Sequence, residues 1–483
     1  MLLRTGQRKI MVIDKFKRIM PEYQVYPQSL RRNDDNYFFI AKNNKKKYLV
    51  VSGKESNKFE GEFIAEGTKL SLLNHNNAKR LKEIFPELSP VPCDLKTSFG
   101  FGDRIGLTTP AHIGCVRKHN NLFPVFAQQS VRELRRTGRN MQNVIDTVIW
   151  GYMETGYKGL YGADADHLKD ISSVNQAIKT GFSMFTVDPS DDIKNPSLMS
   201  RDEQESCHAS IPEVKDIERF FLNKEYSIAG KRYVFAESEL KRIIITFVKG
   251  LNFAVDCYKI IKSYRERFDF EISIDEIGIP TTFLDHIFIT EYLRKNGVAF
   301  TSLALCFPGE FQKAIDYKGN IEEFKKSYKE HYLISQSLGN YKLSLHSGSD
   351  KFSVYPVISE VGDTFHIKTA GTSWLQAIKT IALKNPSLYR KIHKCAIQNI
   401  EKDRSSYSIG LDLDKILPIE KIADKKLGGL FSLPDARQLI HITYGSILSE
   451  FKEEIYRSLF ISETEHYQLV EEHLNKHLNL LGV

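Results

Sequence analysis

A chain of 483 residues exceeds the size at which one ordinary hydrophobic core stops growing, so it folds either as several domains or around a large barrel. Its 41% apolar and 27% charged residues exclude wholesale disorder, and a formal charge of +8, from 68 basic and 60 acidic residues, is too diluted to argue for nucleic-acid binding. Six widely spaced cysteines without a C-x-x-C pair argue against a disulfide framework or a cysteine zinc cage. No apolar run approaches the ~20 residues that span a bilayer, and the N-terminus shows no continuous apolar signal core, so a cytoplasmic location is expected.

Taken in chain order, residues 1–95 read as a small β-rich module. Its expected strands are 37–41, 48–51 and 59–64, with Lys45-Lys46-Lys47 in a hairpin turn and a helix over 76–88. From residue 96 to about 385, strand-like and helix-like patterns alternate. Expected strands cover 99–104, 122–127, 160–166, 182–187, 270–275, 299–305, 342–346 and 365–368. Met141, Val144, Ile145, Val148 and Ile149 follow the spacing of an amphipathic helix, as do Leu240, Ile243, Ile244, Phe247 and Leu251. Eight such alternations predict an α/β fold, a (β/α)8 TIM-like barrel. Residues 189–236, rich in Asp, Ser, Pro and Asn, read as an insertion or lid over its mouth, and 386–483 as a C-terminal helical cap.

Catalytic groups of such barrels gather at the C-terminal ends of the strands. Asp164, Asp166 and His167 crowd one strand-to-helix junction, although Asp166 there could simply cap the next helix. Alternation over 270–276 points Glu271, Ser273 and Asp275 to one face and Phe270, Ile272 and Ile274 to the other, which turns the acids into the barrel. A buried carboxylate needs a partner, either a cation, a substrate or an internal lysine such as Lys342 or Lys368. Lys342, Ser344 and His346 share a face, as do His366 and Lys368. A lone strand histidine is usually a hydrogen-bonded core residue. Three of them, His167, His346 and His366, beside inward acids suit a divalent metal such as zinc, manganese, cobalt or nickel.

Several stretches together resemble the tagaturonate epimerase family: Phe99-Gly-Phe-Gly-Asp-Arg-Ile-Gly-Leu-Thr-Thr-Pro-Ala-His-Ile113, Phe126-Ala-Gln-Gln-Ser130, Gly162-Ala-Asp-Ala-Asp-His-Leu-Lys169, Phe185-Thr-Val-Asp-Pro189, Leu343-Ser-Leu-His-Ser-Gly-Ser-Asp-Lys-Phe352 and His366-Ile-Lys-Thr-Ala-Gly-Thr372. The resemblance implies a metal-dependent isomerase that interconverts tagaturonate and fructuronate in hexuronate breakdown. It implies Asp166 and an acid of the 271–276 stretch as the proton-transfer pair, either Glu271, which alternation orients, or Asp275 or Glu276 nearer the catalytic end, with His167, His346 and His366 as metal ligands. Asp103, Arg104, Gln128, Gln129, Lys342, Ser347 and Lys368 are then the expected contacts of an anionic sugar acid. In one departure, Leu305-Cys306 stands where the family carries Pro-Arg, which removes a natural carboxylate clamp. The competing readings are a metal-dependent sugar-acid aldolase or ketose isomerase, and a barrel that binds sugar acids without turning them over. Neither a nucleic-acid nor a membrane partner is expected.

Overall fold

Strand alternation is what turns this chain into a barrel. In a computed structural model, which describes residues 2–407 and 409–483, eight strands close on themselves, each parallel to its neighbours. They are Ser98–Phe101, Phe123–Ser130, Gly162–Leu168, Met184–Val187, Asp269–Ser273, Ser302–Ala304, Lys342–Leu345 and Phe365–Thr369. Outward residues such as Phe99, Phe185, Phe270, Leu303, Leu343 and Ile367 are fully buried under the surrounding helices. The inward set is polar. In register across successive strands, Thr186 pairs with Glu271, Glu271 with Ser302, Ser302 with Lys342, and Ser344 with His366. Barrel interiors are usually filled with branched apolar side chains; this one is filled with ion pairs and hydroxyls. Gly100 belongs to this packing, because a Cβ there would lie 1.7 Å from Gln128 Oε1, which occupies the interior.

The N-terminal module is a six-stranded antiparallel sheet ordered Gln24–Val25, Asn36–Lys42, Lys47–Ser52, Thr68–Ser71, Gly61–Ala65, with Arg31–Asn33 on the second of these. Both faces are covered, which explains apolar runs where alternation would be expected. Phe38, Ile40, Leu49 and Val51 join the barrel core, while Phe39, Ala41 and Val50 pack with Phe16 of the helix Leu2–Ile19. The helix expected over 76–88 runs His75–Ile84 instead, and a short 3-10 turn, Pro86–Leu88, follows it. Pro86 disfavours helical geometry at the residue before it.

Residues 189–236 contain helices Arg201–Ala209 and Val214–Phe221 and the hairpin of Glu225–Ile228 with Lys231–Val234. They do not form the lid expected from their composition. Phe221 packs at 4.5 Å on Phe288 of the helix Phe283–Lys295, and Tyr233 donates to Glu330 of the helix Ile321–Leu338. The aromatic side chains of the insertion find apolar partners on the outer helices, which the polar barrel mouth does not offer. Among the described residues, no helix is long and apolar enough to cross a membrane.

Two ionic knots bind the outer parts to the barrel. Lys47, in the predicted turn but half-buried, pairs with Glu154 at 2.6 Å and with Glu463, and donates to Tyr467 at 3.0 Å. It thereby joins the N-terminal sheet to the helices Met141–Thr155 and Glu463–Leu480. The second knot is Asp350, buried just beyond the seventh barrel strand. It pairs with Arg437 at 2.7 Å and with His473, and its backbone N–H donates to His477 Nε2 at 3.0 Å. Burial alone would push the Asp350 carboxyl up, but Arg437, His473 and His477 hold it well below the usual carboxylate range.

Replacing Lys47 by Met leaves buried Glu154 without its cation, whereas Glu463 keeps Lys42 at 2.6 Å, and chemical denaturation is expected to show a loss of about 3 kcal/mol. The same change at exposed Lys45 is expected to move stability by less than about 0.5 kcal/mol. Because the folded pKa of Asp350 is depressed, its contribution is fully present above about pH 4 and is lost as pH falls below that. The stability gap between the wild type and Asp350→Asn, about 3 kcal/mol at pH 7 by urea unfolding, should therefore narrow towards pH 3.

Candidate active site

The third barrel strand carries the densest chemistry, and a backbone irregularity arranges it. Regular alternation would send Asp166 and His167 to opposite faces. Between the third and fourth strands the register slips, so that Phe185 to Val187 spans Ala165 to Leu168, and His167 takes φ +53°. This bulge lets both side chains line the same pocket, which opens at the C-terminal ends of the strands. Asp166 does not cap the following helix; Asp170 does, accepting from the Ser173 N–H at 2.7 Å.

Each of two imidazoles is held by a carboxylate on one nitrogen and lies beside a pocket-lining carboxylate at the other. His167 Nδ1 is 2.8 Å from Asp188 Oδ2, and its Nε2 is 3.8 Å from Asp166 Oδ1. His346 Nε2 is 2.8 Å from Glu271 Oε1, and its Nδ1 is 3.0 Å from Asp275 Oδ1. The two rings lie 5.1 Å apart, centre to centre. Beneath them Lys368 Nζ sits 2.6 Å from Asp164, 2.9 Å from Asp166 and 2.7 Å from Glu271.

This crowding sorts the acids by charge. Burial, reinforced by Asp166 and Glu271, pushes Asp164 up to about 6 against the pull of Lys368. Asp166 is equally buried, yet Lys368, His167 and His346 bring it down to about 2. Burial opposes a proton on His346, but Asp275 and Glu271 raise it to about 10. One anionic carboxylate at the pocket wall therefore stands beside a second, deeper carboxyl that holds its proton more readily.

Arg104, Gln128, Asp166, His167, His346, Ser347 and Lys368 all line this pocket, which encloses about 590 Å³ including its open mouth. The other expected contacts lie elsewhere. Lys342 and His366 point inward but start their strands, so they sit at the barrel floor. Lys342 donates to Cys93 Sγ at 3.0 Å and to the Lys96 carbonyl at 3.1 Å, and His366 Nδ1 lies 2.9 Å from Ser98 Oγ. Glu271 is fully buried one layer under the pocket. Asp103 is consumed in a turn, accepting from the N–H groups of Ile105, Gly106 and Thr108 at 3.1, 2.8 and 2.7 Å. Gln129 faces away from Gln128 and accepts from Arg139 at 2.9 Å. Glu276, beyond its strand, faces Arg132 and Lys313 at 3.6 and 3.9 Å. Cys306 bonds to Thr281 and puts no cation at the mouth.

Sequence reasoning turned Asp275 inward without fixing its role and passed over Asp188, which the position just after the fourth strand could have marked. It also missed Arg132, Glu133, Lys313, Tyr407 and His441, which reach the pocket from helices and loops that carry no periodic signal. Gly371 makes room for His441, whose ring a Cβ at that position would meet at 1.9 Å.

Asp350, His473 and His477 also offer three ligand-type atoms within 4.8 Å of one another. That grouping is already satisfied: the Arg437 guanidinium supplies its positive charge, and His477 Nε2 accepts from the Asp350 N–H.

Comparison with known proteins finds likeness over nearly the whole chain. A family model described as tagaturonate epimerase matches residues 26–481. A curated Thermotoga maritima protein, named tagaturonate/fructuronate epimerase, is 44% identical over 467 residues, covering 95% of this chain and 97% of the relative. Crystal structures of a fructuronate-tagaturonate epimerase from Cohnella laeviribosi, native and in complex with glycerol, are 34% identical, with a TM-score of 0.92 over 99% of both chains. The chain is thus an epimerase-type isomerase that belongs to the tagaturonate epimerase family.

Proposed function

We propose that this protein interconverts tagaturonate and fructuronate with the help of a divalent metal held by His167, His346 and Asp275, with Asp166 alongside. The observation that carries this reading is the pair of carboxylate-fixed imidazoles, each with its second nitrogen beside a carboxylate that lines the pocket. Fixing one ring nitrogen with an acceptor is how proteins orient a histidine as a ligand. Two nitrogens and one or two oxygens suit zinc, manganese, cobalt or nickel. The charge balance supports the same fit. Lys368 pairs with Asp164, Asp166 and Glu271, while Asp188 and Asp275 stand against His167 and His346, so carboxylates crowd the base of the pocket around one lysine. When bound, a divalent cation would polarise the ketone and its neighbouring hydroxyl.

With the ketone carbon counted as position 2, the two sugar acids differ at position 4. That carbon is β to the carbonyl, so removing its hydrogen gains no enolate stabilisation. Breaking the bond between positions 3 and 4 avoids the difficulty. Asp166, kept anionic by Lys368 and the histidines, takes the proton of the 4-hydroxyl as that bond opens. Lys368 sits beside it as a fixed positive charge, and Glu271 acts through His346 and Lys368 as a positioning residue. The aldehyde rotates, the bond re-forms on the other face, and Asp166 returns the proton.

Protein freed of metal by a chelator should lose turnover of both acids, and one or more of manganese, zinc, cobalt and nickel should restore it. No conversion with any of them would defeat the reading, and cleaved fragments or aldoses as the end product would favour an aldolase or ketose isomerase. In deuterated water the epimerised product is expected to carry no deuterium at position 4. Deuterium found there by mass spectrometry or NMR would replace bond cleavage with direct proton exchange.

A further inference from the structure

We propose that Arg132 and Lys313 clamp the carboxylate end of the sugar acid, in the seat where Glu276 now stands between them. The inference rests on the sugar-acid reading above and adds the part of the site that recognises the acid.

An anionic ligand needs a cation that is not already neutralised, and the pocket contains few. Arg104 is spent: its Nε pairs with Glu133 at 2.7 Å, its NH1 donates to the His441 carbonyl at 2.8 Å, and its plane lies 3.9 Å over Tyr444. Lys368 is surrounded by three carboxylates. Arg132 and Lys313 remain. Among the described residues the Arg132 side chain makes no hydrogen bond, and its Nε is buried without a partner. Its only ion pair is with Glu276 Oε1 at 3.6 Å. Lys313 donates to Ser347, and its Nζ lies 3.9 Å from the same Glu276 oxygen.

One carboxylate oxygen thus spans two cations at the outer limit of contact, which leaves an excess positive charge at the mouth. A ligand carboxylate that replaced Glu276 could approach both nitrogens to hydrogen-bonding distance, with the guanidinium fork offering two parallel donors. Tyr407, 5.2 Å under the Arg132 guanidinium, fixes the plane of that fork. The pocket is then polar along its length. Asp166 and Asp275 face the reacting carbons, and Arg132 and Lys313 face the far end of the chain, where a keto-acid of this kind carries its carboxylate.

The test is calorimetric titration of the full-length protein with two unreactive six-carbon ligands, galactonate and the neutral galactitol. The wild type is expected to bind the acid at least about tenfold more tightly. Arg132→Met and Lys313→Met should each weaken the acid by roughly 10- to 100-fold while shifting the alditol by less than about threefold. Arg132→Lys should recover part of the loss, and Glu276→Gln, which removes the competing carboxylate, should tighten binding of the acid. In turnover the loss should appear in KM more than in kcat. Unchanged affinity for galactonate in both Met variants, equal losses for both ligands, or a wild type without preference for the acid would each overturn the clamp. These titrations need no turnover, so an inactive wild type would defeat the epimerase reading and still leave the clamp decided.

Discussion

The site depends on one ammonium group. Lys368 rises from the eighth strand into a space where Asp164, Asp166 and Glu271 converge, and its Nζ touches all three within 3 Å. Three carboxylates in an enclosed barrel would repel one another, and burial would favour their protonation. With Lys368 present, burial works against its own charge, but the three acids hold it well above the usual lysine range. The cation does not treat its neighbours alike. Asp166 also faces His167 and His346 and is driven down, whereas Asp164 faces Asp166 and Glu271 and is driven up. Lys368 holds the cluster together, and the remaining neighbours, histidines for Asp166 and carboxylates for Asp164, determine which acid is anionic at the pocket wall.

Above that layer, the backbone selects which residues reach the ligand. His167 and Ser347 both take left-handed φ values, +53° and +51°, at the ends of their strands. For residues other than glycine that conformation costs on the order of 1 kcal/mol. At His167 the hydrogen bond to Asp188 and the pairing near Asp166 offset it. The strain turns the ring out of the alternation that would otherwise bury it among the outer helices. Function here is placed by a deviation from regular strand geometry, and the regular part of the strand supplies the rigidity that makes the deviation precise enough to use.

This division explains what the sequence could reveal. The eight strands were legible because inward polar and outward apolar residues alternate cleanly, as in Phe270-Glu271-Ile272-Ser273-Ile274, and the helices between them show their own period. Which end of each strand a residue occupies was harder to read. Lys342 and His366 share a face with His346 and Lys368, and periodicity cannot distinguish floor from mouth; strand register does. The insertion suggested a lid because its composition is loop-like, and only the partners of Phe221 and Tyr233 show that it braces the outer wall. Residues that enter from outside the strands were invisible for a simple reason. No local pattern links Tyr407 or His441 to a pocket whose other walls begin as far back as Arg104.

Those late residues make the C-terminal helices part of the site as well as a cover for the barrel. Arg104 follows the first strand, Glu133 opens a helix after the second, and His441 comes from the helix Pro434–Ile442; the three meet in one buried cluster against the pocket. The acids that would handle protons or a metal stand on strands, or immediately after them, where closure of the barrel fixes their spacing. The cations at the mouth, Arg132 and Lys313, stand on a helix start and a loop, where long side chains can adjust. Bond cleavage and re-formation demand reacting groups held to within fractions of an ångström, whereas the grip on a distant carboxylate tolerates some movement. In the proposed cleavage and re-formation, the aldehyde half would rotate while the other half stays in place. A substrate held firmly near the acids and more loosely at the carboxylate, as proposed, would have that freedom without leaving the pocket.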